Sequence, residues 1–209
     1  MKKNHVMGWL VAGVLGCSGA VTQAATLSGS FTADNYLQVY LSSDLTVSAG
    51  ELVWNKQSGW GTTESFSGVV LAPGQSIYLL VDAQNESGPA MFIGDFQIAG
   101  SGFQFSNGTT SLSTDTTHWT VSESGFAAAN AAPVSLGANS NSLQIWGGRS
   151  GISSTAEAIW PYYADWSQGH GGHAYFVTQI TAVPEPTEAL MFALGLAGLA
   201  AFVRRQRQR

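Results

Sequence analysis

Between residues 28 and 180 the apolar side chains come in short bursts of three to ten residues, and Gly, Ser, Asn or Pro separates one burst from the next. Short runs rich in Val, Ile, Leu, Tyr and Phe, punctuated by turn formers, are the pattern of antiparallel β-structure. Strands are expected at residues 35–41, 51–55, 66–71, 76–82, 90–99, 119–121, 142–146 and 174–180. In the first of these Tyr36, Gln38 and Tyr40 alternate with Leu37, Val39 and Leu41. With a side-chain period of two, such a strand is either covered on both sides or bears one adhesive face. Residues 72–75 place Pro73 and Gly74 for a turn,. Residues 127–132 allow a helical turn that Pro133 ends, and residues 150–172 read as loop-rich. The expected fold is all-β: a single antiparallel β-sandwich, jelly-roll-like, spanning residues 25–182.

Charge and thiol content narrow the function of that domain. Only Lys56 and Arg149 are basic within it, against eleven acidic residues. Nucleic-acid binding needs clustered cations to neutralise phosphate, so that class is excluded. The one cysteine, Cys17, lies outside the domain. A disulfide framework, a cysteine nucleophile and a thiolate metal site are therefore excluded as well.

The two ends read as export signals. Lys2 and Lys3 precede an apolar stretch at 6–15, then small residues and Thr22-Gln-Ala24. That order of charge, apolar core and small-residue site is a secretory signal peptide over residues 1–24, cut by signal peptidase after Ala24. An alternative is open: Val14-Leu-Gly-Cys17 resembles a lipobox, which would make Cys17 the lipidated first residue of an anchored lipoprotein. At the other end Pro184 and Pro186 make residues 183–187 a stiff, extended linker,. A charge-free run at 189–203 follows, fifteen residues, or about 22 Å as a helix. Thr187, Glu188 and snorkelling arginines lengthen it toward the roughly 20 residues that a bilayer requires. The expected transmembrane helix is 188–203. The basic tail at 204–209, with Arg204, Arg205, Arg207 and Arg209, then holds the C-terminus on the cytoplasmic side,.

A secreted chain ending in Val-Pro-Glu-Pro, a short Gly/Ala/Leu-rich apolar run and an arginine cluster resembles the PEP-CTERM sorting signal of Gram-negative bacteria. The resemblance covers residues 183–209. It implies recognition of Val183, Pro184, Glu185 and Pro186 by an exosortase, which acts on the chain and passes it to the exterior. It also implies an association with exopolysaccharide and biofilm.

The middle of the chain is similar to galactose-binding-like β-jelly rolls. The similarity lies in residues 31–35 and the aromatic strand after them, Gly59-Trp-Gly61, residues 71–82, residues 87–92, and a closing segment of 157–160 with 173–180. Several modules of that kind bind sugars. Exposed aromatic faces beside polar side chains suit the C–H patches and hydroxyls of a glycan. The candidates are Trp60, in Ser58-Gly-Trp-Gly61, and Trp160, Tyr162, Tyr163, Asp165 and Trp166, in the second aromatic loop. The alternative is that these rings plug the ends of the sandwich. Trp54, Trp119 and Trp146 are expected in the core.

Other constellations have plain alternatives. His170 and His173, with Asp165 near, can share a metal, but glycines on both sides also mark a simple loop,. Asp34, Asp44, Asp82 and Asp95 can supply oxygens to a structural calcium or merely cap turns; no other cofactor is implied. Gly-x-Ser-x-Gly, His-Glu-x-x-His and a phosphate-cradling loop are absent,. The expectation is a non-enzymatic, exported surface or matrix protein. A glycan-active hydrolase is the alternative, in which Glu123 or Glu157 would pair with an Asp.

Overall fold

A computed structural model describes residues 24–56, 59–167, 169–183 and 186–207. The expected signal peptide through Gln23, with Cys17, and Pro184, Glu185 and Arg209 lie outside the described residues, as do the side chains of Pro186 and Arg205.

Twelve strands build the domain: β1 (Thr26–Asp34), β2 (Tyr36–Ser42), β3 (Leu52–Lys56), β4 (Glu64–Val70), β5 (Ile77–Asn85), β6 (Met91–Ala99), β7 (Phe103–Phe105), β8 (Ser111–Ser113), β9 (Thr120–Ser122), β10 (Val134–Ala138), β11 (Glu157–Trp160) and β12 (Gly172–Ala182). They form two six-stranded sheets. Sheet A runs β10-β11-β6-β1-β4, with β8 also paired to β6; sheet B runs β3-β2-β5-β12-β7, with β9 also paired to β12. Every pairing is antiparallel. The expected all-β sandwich is therefore present.

The core lies between the sheets and is filled by the alternate positions of each strand. Leu27, Phe31 and Ala33 of β1 and Phe92, Phe96 and Ile98 of β6 meet Leu37, Val39, Leu79, Val81 and Phe176 from sheet B. Two glycines set the aromatic packing. Phe96 pairs in register with Gly29, and Phe31 with Gly94. A Cβ on Gly29 would stand 2.7 Å from the Phe96 ring, and one on Gly94 would stand 2.8 Å from Cβ of Phe31. Gly29 thus leaves room for the Phe96 ring and Gly94 for Cβ of Phe31, and the two phenyl rings stack at 5.8 Å. Interiors are packed to crystal-like density, so this space is specific.

The expected strands leave out β1, β7, β8 and β10, and the local pattern misleads at two further places. Residues 142–146 are not a strand. Leu143 N donates to Ser140 O, and Trp146 N and Gly147 N both donate to Leu143 O, so the backbone coils into consecutive turns. Leu143 and Trp146 are nonetheless buried, so apolar residues in a compact turn produced the expected strand. The loop-rich stretch 150–172 holds one strand, β11, and the helical turn is a 3-10 turn at Phe126–Ala128.

Beyond the sandwich, α1 spans Pro186–Gln206, starting two residues earlier and ending three later than expected. Proline suits a first helical position because its missing N–H would be unpaired there; Pro186 and Thr187 therefore belong to the helix rather than to an extended linker. Among the described residues no helix is long and apolar enough to cross a membrane.

Candidate functional site

The outer face of sheet B carries side chains that a merely solvated face does not need. On β2 the inward positions Leu37 and Val39 are buried, which turns Tyr36, Gln38 and Tyr40 outward. Strand register extends this into rows. Asn55, Gln38, Asp82 and Tyr175 stand side by side across β3, β2, β5 and β12. Tyr36, Gln84 and His173 form the next row. Of these rows Tyr36, Gln38, Asn55, Asp82, Gln84 and His173 line a cavity of about 310 Å³.

Hydrogen bonds hold these groups in place. His173 Nδ1 lies 2.7 Å from Asp82 Oδ1; against a carboxylate oxygen the nitrogen carries the proton. The His173 ring stacks on Tyr175, centroids 5.7 Å apart and planes 11° apart. Tyr40 Oη donates to Gln38 Oε1 at 2.9 Å, and Tyr36 Oη to Glu86 Oε1 at 3.0 Å. Asp82 is 16% exposed and His173 41%. Burial pushes the Asp82 carboxyl above its ordinary value, and the His173 hydrogen bond and charge offset this only in part,. Burial, reinforced by Asp82, also raises the phenols of Tyr40 and Tyr175.

One end of the face is closed. Phe126, from the 3-10 turn, stands edge-on to Tyr175 at 5.1 Å and to Tyr40 at 6.2 Å. It covers Leu80 and Val177 and so leaves the polar rows as the open part. At the other end β5 and β12 run into two loops that Asn85 ties together. Its Nδ2 donates to Gly88 O and to His170 O, both at 3.1 Å. Buried polar donors of this kind fix loops that would otherwise move.

No family model, curated protein or solved structure matches this chain.

The residues singled out from sequence fall in three places. Tyr162, Tyr163, Asp165 and Trp166 lie on the loop that Asn85 anchors beside the open end of the face. Tyr162 stacks on His170 at 4.8 Å, Tyr163 is 49% exposed and Trp166 is 74% exposed. The Trp166 ring lies over Gly88, where an added Cβ would come within 3.2 Å of it. Asp165 caps its own turn, accepting from Ser167 N and Oγ. Trp60 is elsewhere, near β1, with the Arg149 guanidinium 5.4 Å from its ring centre and its carbonyl accepting from Arg149 Nη1. Trp160 is corrected outright: at 2% exposure it is a core residue packed on Phe176, out of reach of any glycan. Tyr163 and Trp166 are exposed because β11 ends at Trp160 and the chain leaves the sheet.

The histidines have separate partners. His170 Nε2 faces Tyr162 Oη at 3.3 Å and Glu123 at 3.5 Å, whereas His173 engages Asp82. The four aspartates considered for calcium are also dispersed. Asp34 accepts from Trp146 Nε1, Asp44 from Thr46, and Asp95 from Ser113 and Ser153. Among the described residues no group of three or more His, Cys, Asp or Glu is placed to hold a metal.

Sequence reading missed most of this face. Its available signal was the outward triplet Tyr36, Gln38, Tyr40. Asn55 and Gln84 carry no local mark, and Asp82 and His173 stand out in sequence only as candidate metal ligands, since only strand pairing brings the four to one face.

Proposed function

We propose that this chain is an exported cell-surface or extracellular-matrix protein whose β-sandwich binds exopolysaccharide on the outer face of sheet B, without catalysis. The observation that carries the reading is the pair of in-register rows on that face. Phenol rings offer stacking surfaces to sugar C–H groups, while Gln, Asn, Asp and His offer directed hydrogen bonds; a few well-placed polar groups among aromatics are what a small-ligand site needs. Among the described residues that line the cavity Asp82 is the one carboxylate, while Glu86 stands behind the Tyr36 phenol that it accepts from. A single carboxylate supports binding over the two-carboxylate chemistry of a glycosidase. Among the described residues no Lys or Arg lines it either, so an uncharged glycan fits better than a uronate. The exposed Tyr163 and Trp166 extend the contact surface at the open end. The two-sheet architecture is compatible with the galactose-binding-like jelly roll, and we read the domain as that kind of module; the fold by itself carries no function.

The sorting part of the proposal rests on the ends of the sequence. Signal peptidase releases the N-terminus after Ala24. The C-terminal helix and its arginines delay the chain at the membrane, and an exosortase then acts at the Pro184-Glu185-Pro186 element. An uncharged run of fifteen residues is shorter than a comfortable span of about 20, which suits a transient stop better than a permanent anchor.

The binding test is electrophoresis of the exported full chain through native gels containing neutral glycans (mixed-linkage β-glucan, galactomannan, dextran) or polygalacturonate. Retardation in a neutral gel, reduced several-fold by Tyr36→Ala with Gln38→Ala, is expected. Unchanged mobility in all neutral gels would end the binding reading.

A further inference from the structure

The opposite outer face, on sheet A, holds a larger groove of about 580 Å³. Three strands each turn two serines into it, with the residue between them facing inward: Ser28 and Ser30 on β1, Ser65 and Ser67 on β4, Ser111 and Ser113 on β8. The intervening Gly29, Phe66 and Leu112 are buried. Register aligns the hydroxyls. Ser65, Ser30, Asp95 and Ser113 stand side by side across four neighbouring strands, and Gln97 sits between Ser28 and Ser111 in the next row. Neighbouring strands are about 4.8 Å apart and alternate residues about 6.8 Å apart, which makes a lattice of hydroxyls.

The groove has a built wall. Asp95 accepts from Ser113 Oγ on one oxygen and from Ser153 N on the other, pinning the 151–155 loop along its side. Buried Asn139 braces that loop from behind, donating to the carbonyls of Arg149, Ile152 and Ser153 and accepting from Arg149 N. Asp95 is the only charged group among the lining residues, and these protein donors already engage it.

We infer that this groove is a second glycan-binding face, for an uncharged polyhydroxyl chain, and that the domain therefore bridges two polymer strands. Serine hydroxyls both donate and accept, so a lattice of them complements another lattice of hydroxyls. Without a cation to meet an anion, a charged polymer gains nothing here. The lining aromatics, Phe66 and Phe96, are buried, so hydrogen bonds rather than stacking hold the chain, and each contact is weak. A repeating polymer compensates by multivalency. The two grooves lie on opposite outer faces of a sandwich whose sheets are about 10 Å apart, so one segment of polymer cannot fill both. This inference rests on the sheet-B reading above.

The test uses the exported full chain, the same native gels, and light scattering from mixtures with each soluble neutral glycan. Wild type is expected to be retarded and to raise scattering. Ser28→Val with Ser30→Val is expected to keep the sheet-B retardation while the rise in scattering is lost, because a domain with one binding face cannot join two polymer chains. Tyr36→Ala with Gln38→Ala is expected to remain partly retarded through the serine face. If that variant runs free while wild type is retarded, and the serine variant matches wild type, the second face is wrong and the sheet-B reading stands. If wild type runs free in every neutral gel, both readings fall. Ser65→Val with Ser67→Val, on a different strand, repeats the test, and an unchanged melting temperature certifies each variant as folded.

Discussion

Asp82 and His173 meet diagonally across β5 and β12: His173 is paired in register with Gln84, yet its Nδ1 reaches back to Asp82 at 2.7 Å. This puts a mostly buried carboxylate at the centre of a face otherwise made of phenols and amides. Its pKa lies above the usual carboxylate value because desolvation outweighs the histidine. In the unfolded chain Asp82 ionises at the ordinary value. Its contribution to stability is therefore greatest below that pH and is lost as pH rises through the higher folded value. Asp82→Asn keeps an oxygen for His173 and removes the ionisation. At pH 7 the variant should melt higher than wild type, the difference should shrink toward pH 4, and it should bind glycan more weakly. Thermal melts at pH 4 and pH 7 decide it; a lower melting temperature at pH 7 with an unchanged pH slope would contradict this account of Asp82.

Gly29 and Gly94 should not tolerate a methyl group. Gly29→Ala or Gly94→Ala drives a Cβ into the opposing phenylalanine, and overpacking of this kind costs about 1–3 kcal/mol. Combining Gly29→Ala with Phe96→Leu should recover part of the loss, because the smaller side chain vacates the space. Denaturant titration of the two single variants and the double variant reads the coupling; strictly additive losses would mean that the ring is not the obstacle.

Trp160 and Trp166 are six residues apart and should behave oppositely. Trp160→Ala empties a core site and should cost about 3–5 kcal/mol. Trp160→Phe should cost much less, since the indole Nε1 is buried without a partner and its removal relieves an unmet hydrogen bond. Trp166→Ala should change stability by under about 0.5 kcal/mol, as exposed positions do, while weakening glycan retardation. Equal melting temperatures for Trp160→Ala and Trp166→Ala would refute the assignment of one ring to the core.

The sorting proposal predicts the mass of the mature ends. Protein recovered from a host with its exosortase should start near Ala25 and lack the C-terminal arginines, whereas a host without the enzyme should yield a chain ending at Arg209. Mass spectrometry of intact protein distinguishes these. An intact Arg209 in both hosts would make the tail a lasting part of the protein and remove the exosortase step, leaving glycan binding untouched.

How far the sequence could be read differs between fold and site. The β class followed from short apolar bursts, and strands such as β2, β5 and β6 were found close to their true bounds. Strands of three residues, such as β7 and β8, are too short to show a period. The turn at 142–146 was mistaken for a strand because burial of Leu143 and Trp146 produces the same apolar signature in either conformation. Among the candidate ligand contacts, Tyr162, Tyr163 and Trp166 stand on the loop that leads into β12, while Trp60 lies beside Arg149 and Trp160 in the core.

By itself the sequence determined what is local: alternation that makes strands, glycines and prolines that end them, and the thiol and charge content of residues 25–182. These depend on neighbours a few residues apart, where period and turn chemistry act. Tertiary structure alone decided which side chains share a face. Asp82 and His173 are separated by 91 residues, and no local pattern records that β5 and β12 pair, or in which register. A slip of one residue in that pairing would turn His173 inward and dismantle the site while leaving every local signal unchanged.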